Sequence, residues 1–567
     1  MAKINNEKVK AESQGLRGTL AQEVQNSERY FTEAAEKLLK FHGIYQQEDR
    51  DGRKIDRKAD HHQFMLRTKL PGGQLTAEQY IVHDDLATQY GNSTLRITTR
   101  QDFQFHGVLK GDLQETLRAL NAALVTCLGA CGDIVRNVMA CPAPTADPQR
   151  KAVQDFAFEL TTAFFPRTNA YHQIWLDGQE LIDDSPLPAA EEDPLYGKTY
   201  LPRKFKIAIA YEGDNCVDVY TNDVGLVAIF DEAQQLLGFN LLAGGGMGMT
   251  HNNDATYARL ADEVSFIAPD QVVEAVTAVV TIHRDFGDRE NRKHARLKYI
   301  LEERGVEWFR AELARRVSFP LQPVRPTSVF LAPDHLGWNE AGDGTLYLGI
   351  PVENGRIVDR GDYRLRTGLR TIIEQFNLSV RLTAQQNILL TDIQPQDRPA
   401  IEALLDEYQI RTVEKISQVR RAALACPALP TCSLAITEAE RVFPAVIDEF
   451  ETTLDELDIA DAAIVARMTG CPNGCARPYV AEVAFVGRSL DKYSVFLGGS
   501  PVGTRLARPF LDLVPLRDLV STLRPVLAYY RDARHTDESF GDFCLRVGLD
   551  ELRQLVQGNV AEAASGD

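Results

Sequence analysis

Leu95-Arg-Ile-Thr-Thr-Arg-Gln-Asp-Phe103 returns later in the chain as Val380-Arg-Leu-Thr-Ala-Gln-Gln-Asn-Ile388. Further along, Arg136-Asn-Val-Met-Ala-Cys-Pro142 matches Arg421-Ala-Ala-Leu-Ala-Cys-Pro427. Both pairs stand 285 residues apart (Leu95 to Val380, Arg136 to Arg421), and two separate matches at one offset are hard to obtain by chance. A weaker echo joins Leu241-Leu-Ala-Gly-Gly-Gly246 to Val495-Phe-Leu-Gly-Gly-Ser500 at an offset of 254, as expected where loop lengths diverged. Two copies rather than many predict a pseudo-twofold protein, not a solenoid.

The local patterning agrees with layered α+β (mixed α/β) architecture. Strand-like runs at 93–98, 205–210, 345–350 and 388–391 alternate with helical stretches at 114–124, 270–284, 396–408 and 516–530, with Gly and Pro at the joins. A chain of 567 residues implies three or four domain-sized units. Residues 1–60 read as an arm with one helix at 26–42 and a charged loop at 46–60. The acidic stretch 183–196 reads as a surface loop, and 561–567 as a disordered tail.

Composition narrows the function classes. The chain is 44% hydrophobic and 25% charged, with a net charge of −18. That balance excludes a general nucleic-acid surface, which wants a basic face. An anionic substrate would need a local positive pocket working against the global field. No apolar run approaches the roughly 20 residues that span a bilayer. The first residues lack a hydrophobic signal core, and nine scattered cysteines do not form a disulfide framework. The expectation is a cytoplasmic protein with no membrane and no nucleic-acid partner.

Four of those cysteines fall in two short pairs, Cys426-x5-Cys432 and Cys471-x3-Cys475, in Cys-Pro-Ala-Leu-Pro-Thr-Cys and Gly-Cys-Pro-Asn-Gly-Cys. Turns rich in Pro and Gly let backbone curve around inorganic sulfide, so four such thiolates suit an iron–sulfur cluster. A structural zinc site more often has two-residue gaps in both pairs and lies in a small module. Cys141 is the counterpart of Cys426, but no second cysteine follows it five residues on, so the duplication predicts one cluster and an inert Cys141. Cys127, Cys131, Cys216 and Cys544 have no evident partners, and Cys127-x3-Cys131 reads as a core helix end.

Cations set among apolar residues or glycines stand out in an acidic protein: Arg67, Lys69, Arg96, Arg100, Arg136, and Arg203, Lys204 and Lys206 in Leu-Pro-Arg-Lys-Phe-Lys. On a strand, Lys204 and Lys206 share one face. Two ammoniums so placed repel unless an anion sits between them. An anion site and a solvated strand end both fit the pattern.

At this level of detail the chain resembles the sulfite and nitrite reductases that carry sirohaem coupled to a 4Fe-4S cluster. The residues carrying the resemblance are Phe41-His-Gly-Ile-Tyr-Gln-Gln47, Lys69-Leu-Pro-Gly-Gly73, Arg96-Ile-Thr-Thr-Arg-Gln-Asp-Phe-Gln-Phe-His106, Leu201-Pro-Arg-Lys-Phe-Lys206, Gly244-Gly-Gly-Met-Gly248 and both cysteine pairs. It implies three lobes about a pseudo-twofold axis. The divisions are an N-terminal arm (1–63), a ferredoxin-like half-domain (64–129), a sirohaem-binding α/β domain (130–330), a second half-domain (331–410) and a cluster- and sirohaem-binding domain (411–567). It also implies Cys426, Cys432, Cys471 and Cys475 as cluster ligands, with Cys475 bridging to the sirohaem iron. Arg67, Arg136, Lys204 and Lys206 match the cations around the substrate, while Arg96, Arg100, Gln104, His106 and Asn473 match positions facing the macrocycle.

Within that family, nitrite reductases usually have asparagine where this chain has Lys206, which favours sulfite. Sulfite is the more negative anion and loses three oxygens as water, so a second ammonium serves both charge and proton supply. No Gly-x-Gly-x-x-Gly unit for NADPH is evident, so electrons come from another protein, ferredoxin or an NADPH-dependent flavoprotein. The wording around Gly244–His251, Leu336–Gly344, Ala425–Pro430 and Cys475–Tyr479 is closer to the ferredoxin-dependent type. The resemblance thus implies an assimilatory, ferredoxin-dependent sulfite reductase making sulfide. A flavoprotein-fed haemoprotein subunit and a ferredoxin–nitrite reductase are the alternatives.

Overall fold

A computed structural model describes residues 4–144, 146–168, 192–327 and 331–565, with two short strands at Trp175–Leu176 and Gln179–Glu180. Three large hydrophobic cores organise it. One belongs to the first repeat (Val135 to Leu313), one to the second (Val419 to Val556), and the third is shared by the two half-domains. The three-lobed expectation holds for this physical reason: neither half-domain closes a core alone.

The half-domains are two antiparallel sheets that exchange an edge. The first runs Ile44–Glu48, His62–Arg67, Phe103–Val108, Leu95–Ile97 and is completed by Arg356–Ile357 from the other half. The second runs Gly337–Glu340, Leu346–Ile350, Ile388–Ile393, Ser379–Leu382 and is completed by Gln74–Leu75. The exchange depends on two glycines. A Cβ on Gly73 (φ +73) would stand 2.4 Å from the Leu382 carbonyl, and one on Gly355 (φ +74) 2.4 Å from that of Ile97. Ile97 and Leu382 are themselves 285 residues apart.

Each repeat contributes a five-stranded sheet of the same design, two parallel pairings followed by two antiparallel ones. The strands are Val135–Met139, Phe205–Tyr211, Val224–Phe230, Leu236–Ala243 and Asp262–Ile267 in the first repeat. In the second they are Leu424–Ala425, Ala466–Thr469, Val483–Ser489, Lys492–Leu497 and Arg508–Pro515. Val224-Gly-Leu-Val-Ala-Ile-Phe is apolar throughout because a central strand is covered on both faces.

Four local expectations are corrected. The helix predicted at 26–42 is instead Leu20–Gln25 and Glu33–Leu39. Glu23 accepts from the Thr32 N–H and hydroxyl (both 2.8 Å), and Thr32 caps a fresh helix start. The charged loop at 46–60 contains a helix, Arg50–Ile55, capped by Asp49. The tail at 561–567 joins the helix Leu549–Ser565 as far as Ser565, in keeping with its alanines. Cys127 and Cys131 lie in turns beyond the helix Leu113–Ala122 rather than at its end. Most of the 183–196 stretch lies outside the described residues. Among the described residues, no helix is long and apolar enough to cross a membrane.

Candidate active site

Both cysteine pairs sit on loops following short parallel strands. Cys426 follows Leu424–Ala425, and Cys471 follows Ala466–Thr469. The loops are tied to each other and to both half-domains. Gly470 N–H points at Cys426 Sγ (3.3 Å), the Asn473 amide donates to Cys471 Sγ (3.3 Å), and Thr99 donates to the Cys475 carbonyl (3.0 Å). From the arm, Arg50 donates to the Ala435 carbonyl (2.9 Å) beyond Cys432. Gly474 is left-handed (φ +63) and packs where a Cβ would meet Met247 of the Gly244–Gly248 loop, so the two repeats meet at the cysteine turn.

The four thiols face a cavity of about 460 Å³, and Arg67, Arg96, Arg100, Gln104, His106, Arg136, Lys204, Lys206, Asn473 and all four cysteines line it. Every site residue expected from sequence therefore lines one cavity. They differ in how much of their polarity is already spent. Arg100 gives all three of its nitrogens to protein, donating to the carbonyls of Asn137 and Ile207 and to Asn222 Oδ1, and so braces two strands. Arg96 donates to Glu440 Oε2 (2.9 Å) and the Ala425 carbonyl (2.8 Å). Arg136 is held by the Gly132 and Ala130 carbonyls. Arg67 meets Gln104 at 2.6 Å in the amide orientation that suits both groups.

Lys204 and Lys206 are different. Phe205 between them is fully buried, while both lysines, enclosed by protein, face the cavity's free space. Among the described residues neither ammonium is in an ion pair. Burial, with Arg296, Arg203 and Arg136 close by, brings Lys204 down to about 7. Burial and the Lys204, Arg100 and Arg296 charges push Lys206 well below the ordinary lysine range. Lys69 falls to about 8 through burial, against the pull of Asp102. Among the described residues two further buried groups make no hydrogen bond, the Lys69 ammonium, which lies over the Phe165 ring, and both ring nitrogens of His106. Burial and the Arg356 charge hold His106 far below the usual histidine range.

Sequence reasoning missed three contributors. Arg296 chelates Asp223 (2.9 and 2.7 Å), whose Oδ2 also takes the Lys206 N–H, so it fixes the lysine strand while adding charge. Lys298 donates to the Gly246 and Gly248 carbonyls, holding the glycine loop against the cysteine turn. Their signal was cations among apolar residues in Ala295-Arg-Leu-Lys298. Glu440 had none: it joins Arg96 to Arg356, and despite burial those two arginines hold its carboxyl at about 2.

The donor set fits the group it implies. A single tetrahedral ion with metal–sulfur bonds of about 2.3 Å would draw its thiolates under about 4 Å apart. The only group of three or more metal-ligating atoms within 4.8 Å of one another, among the described residues, lies elsewhere. The four thiols nonetheless feel one another: burial and then Cys475 and Cys471 raise Cys426 well above its ordinary value, and burial with Cys475 takes Cys471 up to about 12. That spacing suits a multi-iron cluster. Cations and orphaned donors around the hollow suit a polycarboxylate macrocycle beside it.

Comparison with known proteins agrees. Residues 158–321 and 417–563 match the nitrite and sulphite reductase 4Fe-4S domain, and 55–123 and 339–408 the nitrite/sulfite reductase ferredoxin-like half domain. A sulfite reductase (ferredoxin) of Synechococcus elongatus is 45% identical over 98% of this chain and 92% of its own. A sulfite reductase (NADPH) hemoprotein beta-component of Myxococcus xanthus is also 45% identical, over 96% of each chain. The solved structure of Mycobacterium tuberculosis NirA covers 97% of both chains with a TM-score of 0.78 at 22% identity, a likeness of fold. With the fold, the thiols and these matches together, the chain belongs to the nitrite and sulfite reductase family, oxidoreductases that work with sirohaem and a 4Fe-4S cluster.

Proposed function

We propose that this protein reduces sulfite to sulfide with electrons from a ferredoxin, and that Arg67, Arg136, Lys204 and Lys206 bind the substrate, the two lysines also protonating it. The observation that carries this reading is the pair of unpaired, enclosed ammoniums on the cavity wall that the cysteines share. Cys426, Cys432, Cys471 and Cys475 would hold the cluster, Cys475 also the sirohaem iron, and Arg96, Arg100, Gln104, His106 and Asn473 would border the macrocycle. When bound, these groups supply the electrons and the iron that takes up sulfite.

The side chains do the rest. Lys204 and Lys206 are destabilised as cations, so a dianion entering between them gains Coulomb energy from both. Its charge raises the affinity of both amines for protons. Each oxygen that leaves as water takes up two protons with the two electrons of its step, and the two ammoniums, destabilised as cations, are placed to supply those protons. Arg67 and Arg136 offer planar guanidinium donors that hold the oxygens in place. Asparagine at 206 would keep a hydrogen bond but not the second titrating charge.

Support for ferredoxin lies beside Cys432. Between Arg50 and Asp60 stand five basic and three acidic residues, an exception in a chain at −18, and Arg50 touches the cluster loop. Arg53 and Lys54 are exposed there. Such a patch attracts an acidic electron carrier. The deciding experiment is anaerobic turnover of sulfite and of nitrite, each driven by reduced ferredoxin or by NADPH with a flavoprotein. Faster nitrite turnover, or dependence on the flavoprotein, would replace this reading with one of its alternatives.

A further inference from the structure

Cys141, Asp214 and Cys216 of the first repeat and His335, just before the strand Gly337–Glu340, converge away from the cavity. Their ligand atoms all lie within 4.8 Å of one another and all four residues are buried. Cys141 Sγ is 2.8 Å from Asp214 Oδ2 and 3.4 Å from His335 Nε2, and that nitrogen is 3.0 Å from the same carboxylate oxygen. The other Asp214 oxygen accepts from the Cys216 N–H at 3.0 Å. The sequence offers no partner to either cysteine, because the four residues come from segments up to 194 residues apart.

Their place in the duplication is telling. Cys141 is the counterpart of Cys426 at the offset of 285. Cys216 is the counterpart of Cys475 at an offset of 259, which the backbone supports at several points. Two residues on, Asp218 (φ 51) and Arg477 (φ 52) are both left-handed. Single turns Val219–Thr221 and Pro478–Val480 follow, then buried Asp223 and Glu482, then strands Val224–Phe230 and Val483–Ser489. The first repeat thus keeps two of the four thiol positions and adds a carboxylate and an imidazole.

We propose that Cys141, Asp214, Cys216 and His335 form a closed, four-ligand structural zinc site. Thiolate, imidazole and carboxylate together suit zinc, and a buried set with no open position suits a structural rather than a catalytic ion. Bonds of about 2.3 Å to sulfur and 2.0–2.2 Å to nitrogen and oxygen put neighbouring ligand atoms about 3.3–3.8 Å apart. The Cys141–His335 spacing is already there, and the Cys141–Asp214 contact opens when zinc replaces the thiol proton. Two thiolates and a carboxylate around a dication leave one negative charge. Arg150 answers it, its Nε 3.9 Å from Asp214, buried and without a hydrogen bond. Gln154 and Gln385 fix the ligand backbones by donating to the Cys141 and Cys216 carbonyls (3.0 and 2.9 Å). Zinc would rivet the first repeat to the segment leading into the second half-domain.

The test is elemental analysis of the full-length holoenzyme, purified without chelators. About one zinc per chain is expected beside the iron, with two sulfur and two nitrogen or oxygen neighbours in the zinc-edge absorption spectrum. Cys216→Ser and His335→Gln should each lose that zinc and keep the visible spectrum and labile sulfide. Wild-type protein holding under about 0.1 zinc after anaerobic incubation with zinc chloride and desalting would overturn the proposal. So would a different metal there, zinc retained by both variants, or a mass two hydrogens light from a Cys141–Cys216 disulfide. The wild-type spectrum decides the matter even if a variant fails to fold.

Discussion

Two triads, each drawing on both halves of the chain, occupy matching positions and differ in how many of their members are charged. On the cluster side Arg96 and Arg356, paired in register across two strands, share Glu440, whose N–H caps the Cys426 carbonyl at 3.1 Å. On the other side Arg381 and Gln74, paired in the same register, share Gln154, whose amide caps the Cys141 carbonyl. The geometry has been kept while two charges have been removed. A cysteine loop gripped by three charged side chains lies beside the cluster ligands; its twin, with Arg381 as its one charged member, lies beside the Cys141 group. Duplication supplied the scaffold, and the chemistry diverged through a few side chains.

The largest effect should come from the thiols themselves. Cys432→Ser should remove labile sulfide and cut sulfite turnover at least about 1,000-fold, whereas Cys141→Ser should leave both within about twofold. Iron and sulfide assays on the two variants check this, and equal losses would erase the distinction between the halves. Next come the triads. Glu440→Gln leaves Arg96 and Arg356 without a counter-charge, at a cost of about 3–5 kcal/mol, while Gln154→Ala, losing hydrogen bonds but no counter-charge, should cost about 1–3 kcal/mol. Denaturant unfolding of both measures the gap. The Glu440 carboxyl is depressed from 4.5 to about 2 in the folded state, so its stabilisation is whole above pH 4.5 and drains away as pH falls toward 2. Glu440→Gln should abolish that part of the acid sensitivity.

A change within the cavity should be smaller. Lys206→Asn should lower sulfite turnover about 10- to 100-fold and nitrite turnover much less; equal losses would mean this lysine does not set the preference. Lys204 lies at about 7, so sulfite binding should weaken as pH rises through neutrality and the ammonium loses its proton. An arginine at 204 should flatten that slope in a plot of KM against pH.

How much of this was legible beforehand depended on distance along the chain. The offset of 285, the cysteine pairs and the Lys-Phe-Lys strand are local patterns, and the fold kept each of them. Residues whose partners lie far away were not legible. Arg96 read as a cofactor contact, yet it spends two donors on a glutamate and a carbonyl more than 300 residues on. Arg100 likewise serves strands 37 and 107 residues away. Cys141 read as inert because Asp214 and His335 meet it only in three dimensions. A helix prediction at 26–42 failed since propensity says nothing of Glu23 reaching back for Thr32.

The mildest prediction concerns the approaches to the two half-domains. Before the first, the helix Arg50–Ile55 lays a basic surface against the cluster loop; before the second, the chain brings His335 to the Cys141 group. If ferredoxin docks on the first, a Lys54→Glu and Arg53→Glu double variant should raise its KM about three- to tenfold, an effect of about 1 kcal/mol, with kcat for sulfite unchanged. Both side chains are exposed and their present ion pairs contribute little to stability, so the fold should not suffer. Raising salt should narrow the difference between variant and parent, since screening removes the attraction the variant lacks. A small dye as donor should show no difference at all. An unchanged ferredoxin KM would move the electron entrance away from Cys432, and leave the basic arm as a brace for the loop and nothing more.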